Sequence, residues 1–411
     1  MSARRWLVLA CAMGAQVGAA GLTLGLPALG PHLRAQFHLS LSGLGALLAA
    51  PTVGYALTMF VWGSLADRRG ERGVMAAGLG ASAAVLVAAG AAGSAWTLGL
   101  GLAVAGGFGA CAPAASGRAV VRWFPPRERG MALGLRHTAP MVGGALGAAL
   151  LPVAARAGAT TGAMWLLAGF AAVGAVCALG VTPGDGAGDA HAPVVRERHP
   201  AVDGLVWLLA GGGALVIVGQ AVLLRFQPEY LHSARGWSQD TAALVLSLTL
   251  LAAALARIAA GVISDRHGRR IRVLAGQALG AGVLVVGASA LLGLPAQVAA
   301  VLLVGAATLT MAGNGVAYAA IAEVAPLRTG AALGLYATVL IVVVSVAPAL
   351  FGLLAGAVPW GVAFALVGVF PLLGAGVLWH AERVFRRRGV MGAPVHATAS
   401  PTEPVQAGPQ R

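Results

Sequence analysis

The sequence predicts an all-α membrane protein of twelve transmembrane helices, arranged as two parallel six-helix repeats. Three observations carry this. Of 411 residues, 58% are hydrophobic and only 10% charged, against about 25% charged in a soluble domain. The apolar residues gather into twelve runs, each close to the roughly 20 residues that cross a bilayer. Short motifs of the first half also return in the second at a nearly constant offset.

The runs, numbered spans 1 to 12, fall near 6–29, 42–65, 74–93, 96–121, 131–155 and 161–182, then near 204–227, 240–263, 272–292, 296–320, 330–354 and 359–380. The first run follows Arg4 and Arg5 and is longer than the apolar core of a signal peptide, about 7–15 residues; it is read as span 1. The chain therefore divides into an N-terminal bundle over 1–182, a linker over 183–203, a C-terminal bundle over 204–380 and a tail over 381–411. The tail beyond Arg388 is rich in Pro, Ala and Thr and is expected to be disordered. Sixty-one glycines suit close helix packing in lipid. G-x-x-x-G spacings recur at Gly14/Gly18, Gly21/Gly25, Gly143/Gly147, Gly276/Gly280 and Gly352/Gly356.

The net charge is +14, and the 27 basic residues are all arginine. That balance suits nucleic acid, but the arginines sit in short clusters between apolar runs, which excludes a continuous basic face. Their distribution sets orientation instead. With both termini inside, cytoplasmic segments hold Arg4, Arg5, Arg68, Arg69, Arg72, Arg122, Arg127, Arg129, Arg196 and Arg198 in the first half. They also hold Arg266, Arg269, Arg270, Arg272, Arg328 and the cluster over 383–388. Outer segments hold only Arg34, Arg156 and Arg235. The expected location is the plasma membrane, a bacterial inner membrane, with both termini cytoplasmic and the protein monomeric.

The internal repeat is the most specific signal. Gly63-Ser-Leu-Ala-Asp67-Arg68-Arg-Gly70 returns as Gly261-Val-Ile-Ser-Asp265-Arg266-His-Gly268, an offset of 198. Gly130-Met-Ala-Leu-Gly134-Leu135 returns as Gly330-Ala-Ala-Leu-Gly334-Leu335, an offset of 200. Pro126 matches Pro326, and Pro27 matches Pro228. Parallel repeats of this kind place a substrate site between them near the bilayer midplane.

On these residues the chain resembles the major facilitator superfamily over essentially its whole length. The 63–72 stretch is similar to that family's loop 2–3 motif, 261–270 to its repeat in loop 8–9, and Arg122-Trp-Phe-Pro-Pro-Arg-Glu-Arg129-Gly130 to the loop 4–5 segment of bacterial organic-anion members. The resemblance implies a secondary transporter working by alternating access of two bundles. It assigns Gly63, Asp67, Arg68 and Gly70, with Gly261, Asp265, Arg266 and Gly268, to gating. Asp67 and Asp265 would face helix N-termini of the opposite half, near Gly330 and Gly130. The alternative to gating is a solvated charged turn. Ala139-Pro140-Met-Val-Gly143-Gly144 is similar to the core of the family's antiporter motif, and a drug–proton antiporter is the alternative function.

Charges at membrane depth point to the cargo. None of the 13 acids lies near the middle of a run, whereas Arg136, Arg225 and Arg257 lie inside runs and Arg118 near the inner end of span 4. Buried cations need a partner or a cavity, and with no acid available an anionic substrate supplies one. Arg257, eight residues before Asp265, lies about 12 Å from the cytoplasmic end and ranks first; Arg257-Ile-Ala-Ala-Gly261 is similar to span 8 of monocarboxylate carriers. The alternative is a packing arginine bonded to backbone carbonyls. Arg225 is close enough to the outer end to snorkel, and Arg136 shares a face with Pro140 and Gly143. Gln16, Gln220, Asn314 and Tyr318 are neutral contacts or interhelical hydrogen bonds. His137 is the mid-span histidine and a candidate proton carrier. Neither H-E-x-x-H nor C-x-x-C spacing occurs, so no enzyme, metal or cofactor chemistry is expected.

Overall fold

The computed structural model describes residues 2–182, 203–290, 295–325 and 329–391. Among them are eleven helices long and apolar enough to cross a membrane and no strand. One of these, Met131–Leu179, is two spans: Gly158 (φ −148°, ψ 26°) and Ala159 (φ 52°, ψ −150°) leave helical geometry and reverse the chain. The crossings therefore number twelve. Helices satisfy their backbone groups internally, as lipid demands. The linker expected over 183–203 lies outside the described residues except for Asp203, whose carboxylate caps the helix Gly204–Ser233 at the Leu205 amide. The last helix continues to Met391, past residue 380 where the apolar run ends; 392–411 lie outside the described residues.

Two span ends extend further than the apolar runs suggest, and both help to seal the far side of the bundle. Span 1 is helical over Ser2–Ala20, widens to a π-turn over Gly21–Gly25, tightens to a 3₁₀ turn over Leu26–Leu29, and resumes over Gly30–Gln36. Pro27 and Pro31 sit where the register changes, since neither has an amide hydrogen to give the helix ladder. Span 7 passes through Pro228 without ending and stops at Ser233. Spans 4, 5 and 10 break instead: at Ala110, at His137–Thr138 and at Gly313.

An even number of crossings puts residues 2 and 391 on one face of the membrane, here the terminal face. The first-half spans lock through glycine: a methyl at Gly25 would lie 2.8 Å from Gly147, and one at Gly18 2.8 Å from Gly174. The two halves meet on the far face. A methyl at Gly45 of span 2 would collide with the Pro348 carbonyl of span 11, and one at Gly352 with the Leu41 carbonyl. On the terminal face, a methyl at Gly63, Gly261, Gly134 or Gly334 would meet nothing within 4 Å among the described residues. The halves are thus closed together on the far face and parted on the terminal face.

Candidate functional site

A cavity of about 560 Å³ lies between the halves. It is walled by spans 1, 2, 4 and 5 of the first half and 7, 10 and 11 of the second. Its deep end is at Arg225, eight residues or about 12 Å from the far end of span 7. Its rim, at Phe60, Gly334 and Thr338, faces the terminal side.

Arg225 is 3% exposed. It does not snorkel outward, as its nearness to the outer end would allow, because span 7 continues past it and the outer end is sealed. It reaches across the cavity to the other half instead. Its Nη2 donates to Thr52 Oγ1 at 2.8 Å, and Nε and Nη1 make long bonds of 3.4 Å to the carbonyls of Leu48 and Ala221. Among the described residues lining the cavity there is this one cation and no carboxylate. Gln16, Gln220, Asn314 and Tyr318 lie on the same wall, with Asn314 donating to Gln220 Oε1 at 3.2 Å. Thr52 and Tyr55 join them; nothing in the sequence singles out either, as neither residue type is unusual in a span.

Arg136 stands behind this wall, 5% exposed, and is answered within its own half. Nε donates to Ser116 Oγ at 3.0 Å and Nη2 to the Pro113 carbonyl at 2.9 Å. With its amide oxygen turned inward, Gln16 accepts from Arg136 Nε at 2.7 Å. Arg257 is held by two carbonyls beside helix breaks: His137 O of span 5 at 3.0 Å and Met311 O of span 10 at 3.1 Å. Its Nε is buried without a hydrogen-bond partner among the described residues. This is the carbonyl-bonded arrangement, it bridges the halves, and it sets Arg257 apart from the cavity wall that Arg225 occupies. The His137 ring lies parallel to that of Tyr318 at 6.4 Å, again across the halves.

The far-face seal contains a group that the apolar runs do not flag. Glu229 is 1% exposed, and its Oε1 accepts from Arg34 Nη1 at 2.6 Å, joining span 7 to span 1. By hydropathy both residues fall in outer segments, because the apolar runs stop short of them. Arg156 and Asp240 form a second pair across the halves, and Phe226, Tyr230, Phe351 and Trp360 pack against one another in edge-on and tilted pairs. On the terminal face Asp265 pairs with Arg270 of its own half at 3.1 Å. Gly63 and Asp67 end span 2, Arg68 and Arg266 are exposed, and Gly70 and Gly268 turn the chain at φ 83° and 58°, which glycine adopts without strain.

A polytopic helical bundle with one central cavity, sealed on one face and open on the other, defines a membrane transporter. The family model described as Major Facilitator Superfamily matches residues 11–224 and again 209–404; the chain belongs to that superfamily and is a multi-pass transporter, not an enzyme. It is 32% identical over 371 residues to an uncharacterized MFS-type transporter of Mycobacterium tuberculosis strain CDC 1551 / Oshkosh, covering 90% of this chain and 83% of that one. A second such transporter, from strain ATCC 25618 / H37Rv, is 31% identical over the same length. Among solved structures, a bacterial homolog to the human lysosomal transporter Spinster in an inward-facing and occupied conformation aligns with a TM-score of 0.76 at 17% identity, covering 93% of this chain and 98% of that one. Its unoccupied inward-facing form aligns with a TM-score of 0.72 at 18% identity. At these identities the likeness is one of fold.

Proposed function

We propose that the chain is a secondary active transporter of a small organic or inorganic anion, working by alternating access, with both termini in the cytoplasm. On that orientation the conformation described is open to the cytoplasm. The supporting observation is Arg225: a buried guanidinium on the cavity wall, facing a hydroxyl and two distant carbonyls, with no carboxylate on that wall among the described residues. A charge so placed is expensive unless water or a ligand answers it. A carboxylate or oxyanion answers a guanidinium in bidentate geometry. A drug–proton antiporter would need an acid where this cavity shows a cation.

The test is a thermal-shift screen of purified protein against small carboxylates, oxyanions and cationic dyes. Anions should stabilise the parent, and Arg225→Ala should abolish that response. Arg225→Lys should weaken it despite keeping the charge. Arg257→Ala separates the two arginines: loss of anion response there as well makes Arg257 part of the site. If only lipophilic cations stabilise the protein, the anion assignment is wrong.

A further inference from the structure

The internal repeat says something about the cavity that neither half says alone. The repeat partner of Arg225 is Leu24, at an offset of 201, and the partner of Arg257 is Met59, at 198. Both partners line the cavity. On the cavity wall the second half brings positive charge at Arg225 alone, where the first brings hydrocarbon at Leu24, so the cavity is polarised rather than polar throughout. Head-binding groups collect at the deep end around Arg225 and Thr52.

From there toward the terminal face the wall changes character. Tyr55, Ala56, Met59 and Phe60 follow Thr52 along one face of span 2. Ala337, Ile341 and Val344 form the matching ridge of span 11, at the i, i+4, i+7 spacing of a single helix face. Spans 2 and 11 touch through Gly45 and Gly352 on the far face and part toward the terminal face, so these ridges line a wedge. Eight residues separate Thr52 from Phe60, about 12 Å of wall whose lining side chains are apolar apart from Tyr55 on span 2 and Thr338 on span 11. Phe60, at the rim, is 85% exposed.

Inorganic anions and short acids would shed water into such a wedge and gain one guanidinium. An apolar chain attached to the anion gains at every methylene it buries. We propose that the substrate is an amphipathic anion, its carboxylate or sulfonate head at Arg225 and a single alkyl chain laid between spans 2 and 11. This rests on the assignment of an anionic substrate and narrows it.

The test is competition against radiolabelled octanoate on protein in nanodiscs, with empty nanodiscs subtracted. Competitors are acetate, butyrate, hexanoate, octanoate, decanoate, the matching alkyl sulfonates, and alkyltrimethylammonium ions of the same lengths. Affinity should rise by up to about fourfold per added methylene for both anion series. Arg225→Gln should remove octanoate binding. Ile341→Thr with Val344→Thr, which keeps Arg225 and makes the ridge polar, should flatten the chain-length dependence while leaving acetate unchanged. Equal affinity for acetate and decanoate would overturn the chain site and leave the anionic substrate standing. Equal chain-length dependence for the ammonium series, with Arg225→Gln silent, would overturn both. Absence of octanoate binding to folded parent protein would also overturn the proposal.

Discussion

Glu229→Gln should shift the protein toward opening on the far face. The Arg34–Glu229 pair joins span 1 to span 7, so it exists only while the halves meet there. Losing one partner of a fully buried pair costs about 3–5 kcal/mol, and an exposed pair contributes about 0–1 kcal/mol. The Glu229 side chain is 2% exposed and that of Arg34 36%, which puts the loss between these limits, about 2 kcal/mol. That is a shift of roughly 30-fold in the ratio of closed to open far face. Spin labels at Ala35→Cys and Ala234→Cys, in a background where Cys11, Cys111 and Cys177 are replaced, report the separation of the two far ends by double electron–electron resonance. A longer-distance component should appear in Glu229→Gln and grow further in Glu229→Ala. An unchanged distance distribution in correctly folded variants would show that the pair does not hold the seal.

Three further outcomes rest on the same geometry. Gly352→Val should open the far face as Glu229→Gln does, because its side chain meets the Leu41 carbonyl, whereas Gly63→Val should leave this conformation intact and slow the step that closes the terminal face; equal label distances for Gly352→Val and parent would refute the first half, and parental transport rates for Gly63→Val the second. Asp67→Asn should reduce initial transport rates in proteoliposomes at normal protein levels, and normal rates would remove Asp67 from gating. Reporters fused after Asp189 and after Arg388 should both be cytoplasmic; a periplasmic signal from either would overturn the orientation.

Hydropathy makes the spans legible because burial in lipid demands an unbroken apolar stretch, and the repeat makes their pairing legible because its motifs keep their spacing. The tight turn at Gly158–Ala159 falls within the gap between runs 131–155 and 161–182 for the same reason. What hydropathy does not show is where a helix continues once its residues turn polar. Pro228 looks like an end from sequence, yet a proline costs span 7 only one backbone bond, and packing against span 1 keeps the helix going. Sequence alone consequently leaves Glu229 and Arg34 in outer loops and misses the ion pair they form. Arg257 shows a second limit. Its depth is readable, but its contact with the carbonyls of His137 and Met311 depends on the breaks in spans 5 and 10, which Pro140 and Gly313 mark without showing what the carbonyls beside them will meet. Arg225 is legible as a charge and not as a direction.

The terminal face shows how much of a repeat is geometry and how much is chemistry. Glu71 opens span 3 and pairs at 3.7 Å with Arg122 at the end of span 4. At the equivalent place Arg270 opens span 9 and pairs at 2.5 Å with Glu323 at the end of span 10. The clamp is kept and its sign reversed. The two versions are not equivalent, because a helix N-terminus favours an anion and disfavours a cation by about 0.3–1 kcal/mol. Glu71 sits with the dipole. Arg270 sits against it, and two acids attend it: Glu323, and Asp265 at 3.1 Å. Asp265 therefore offsets the adverse end of span 9 within its own half. For it to reach the opposite half when the terminal face closes, that pair must break.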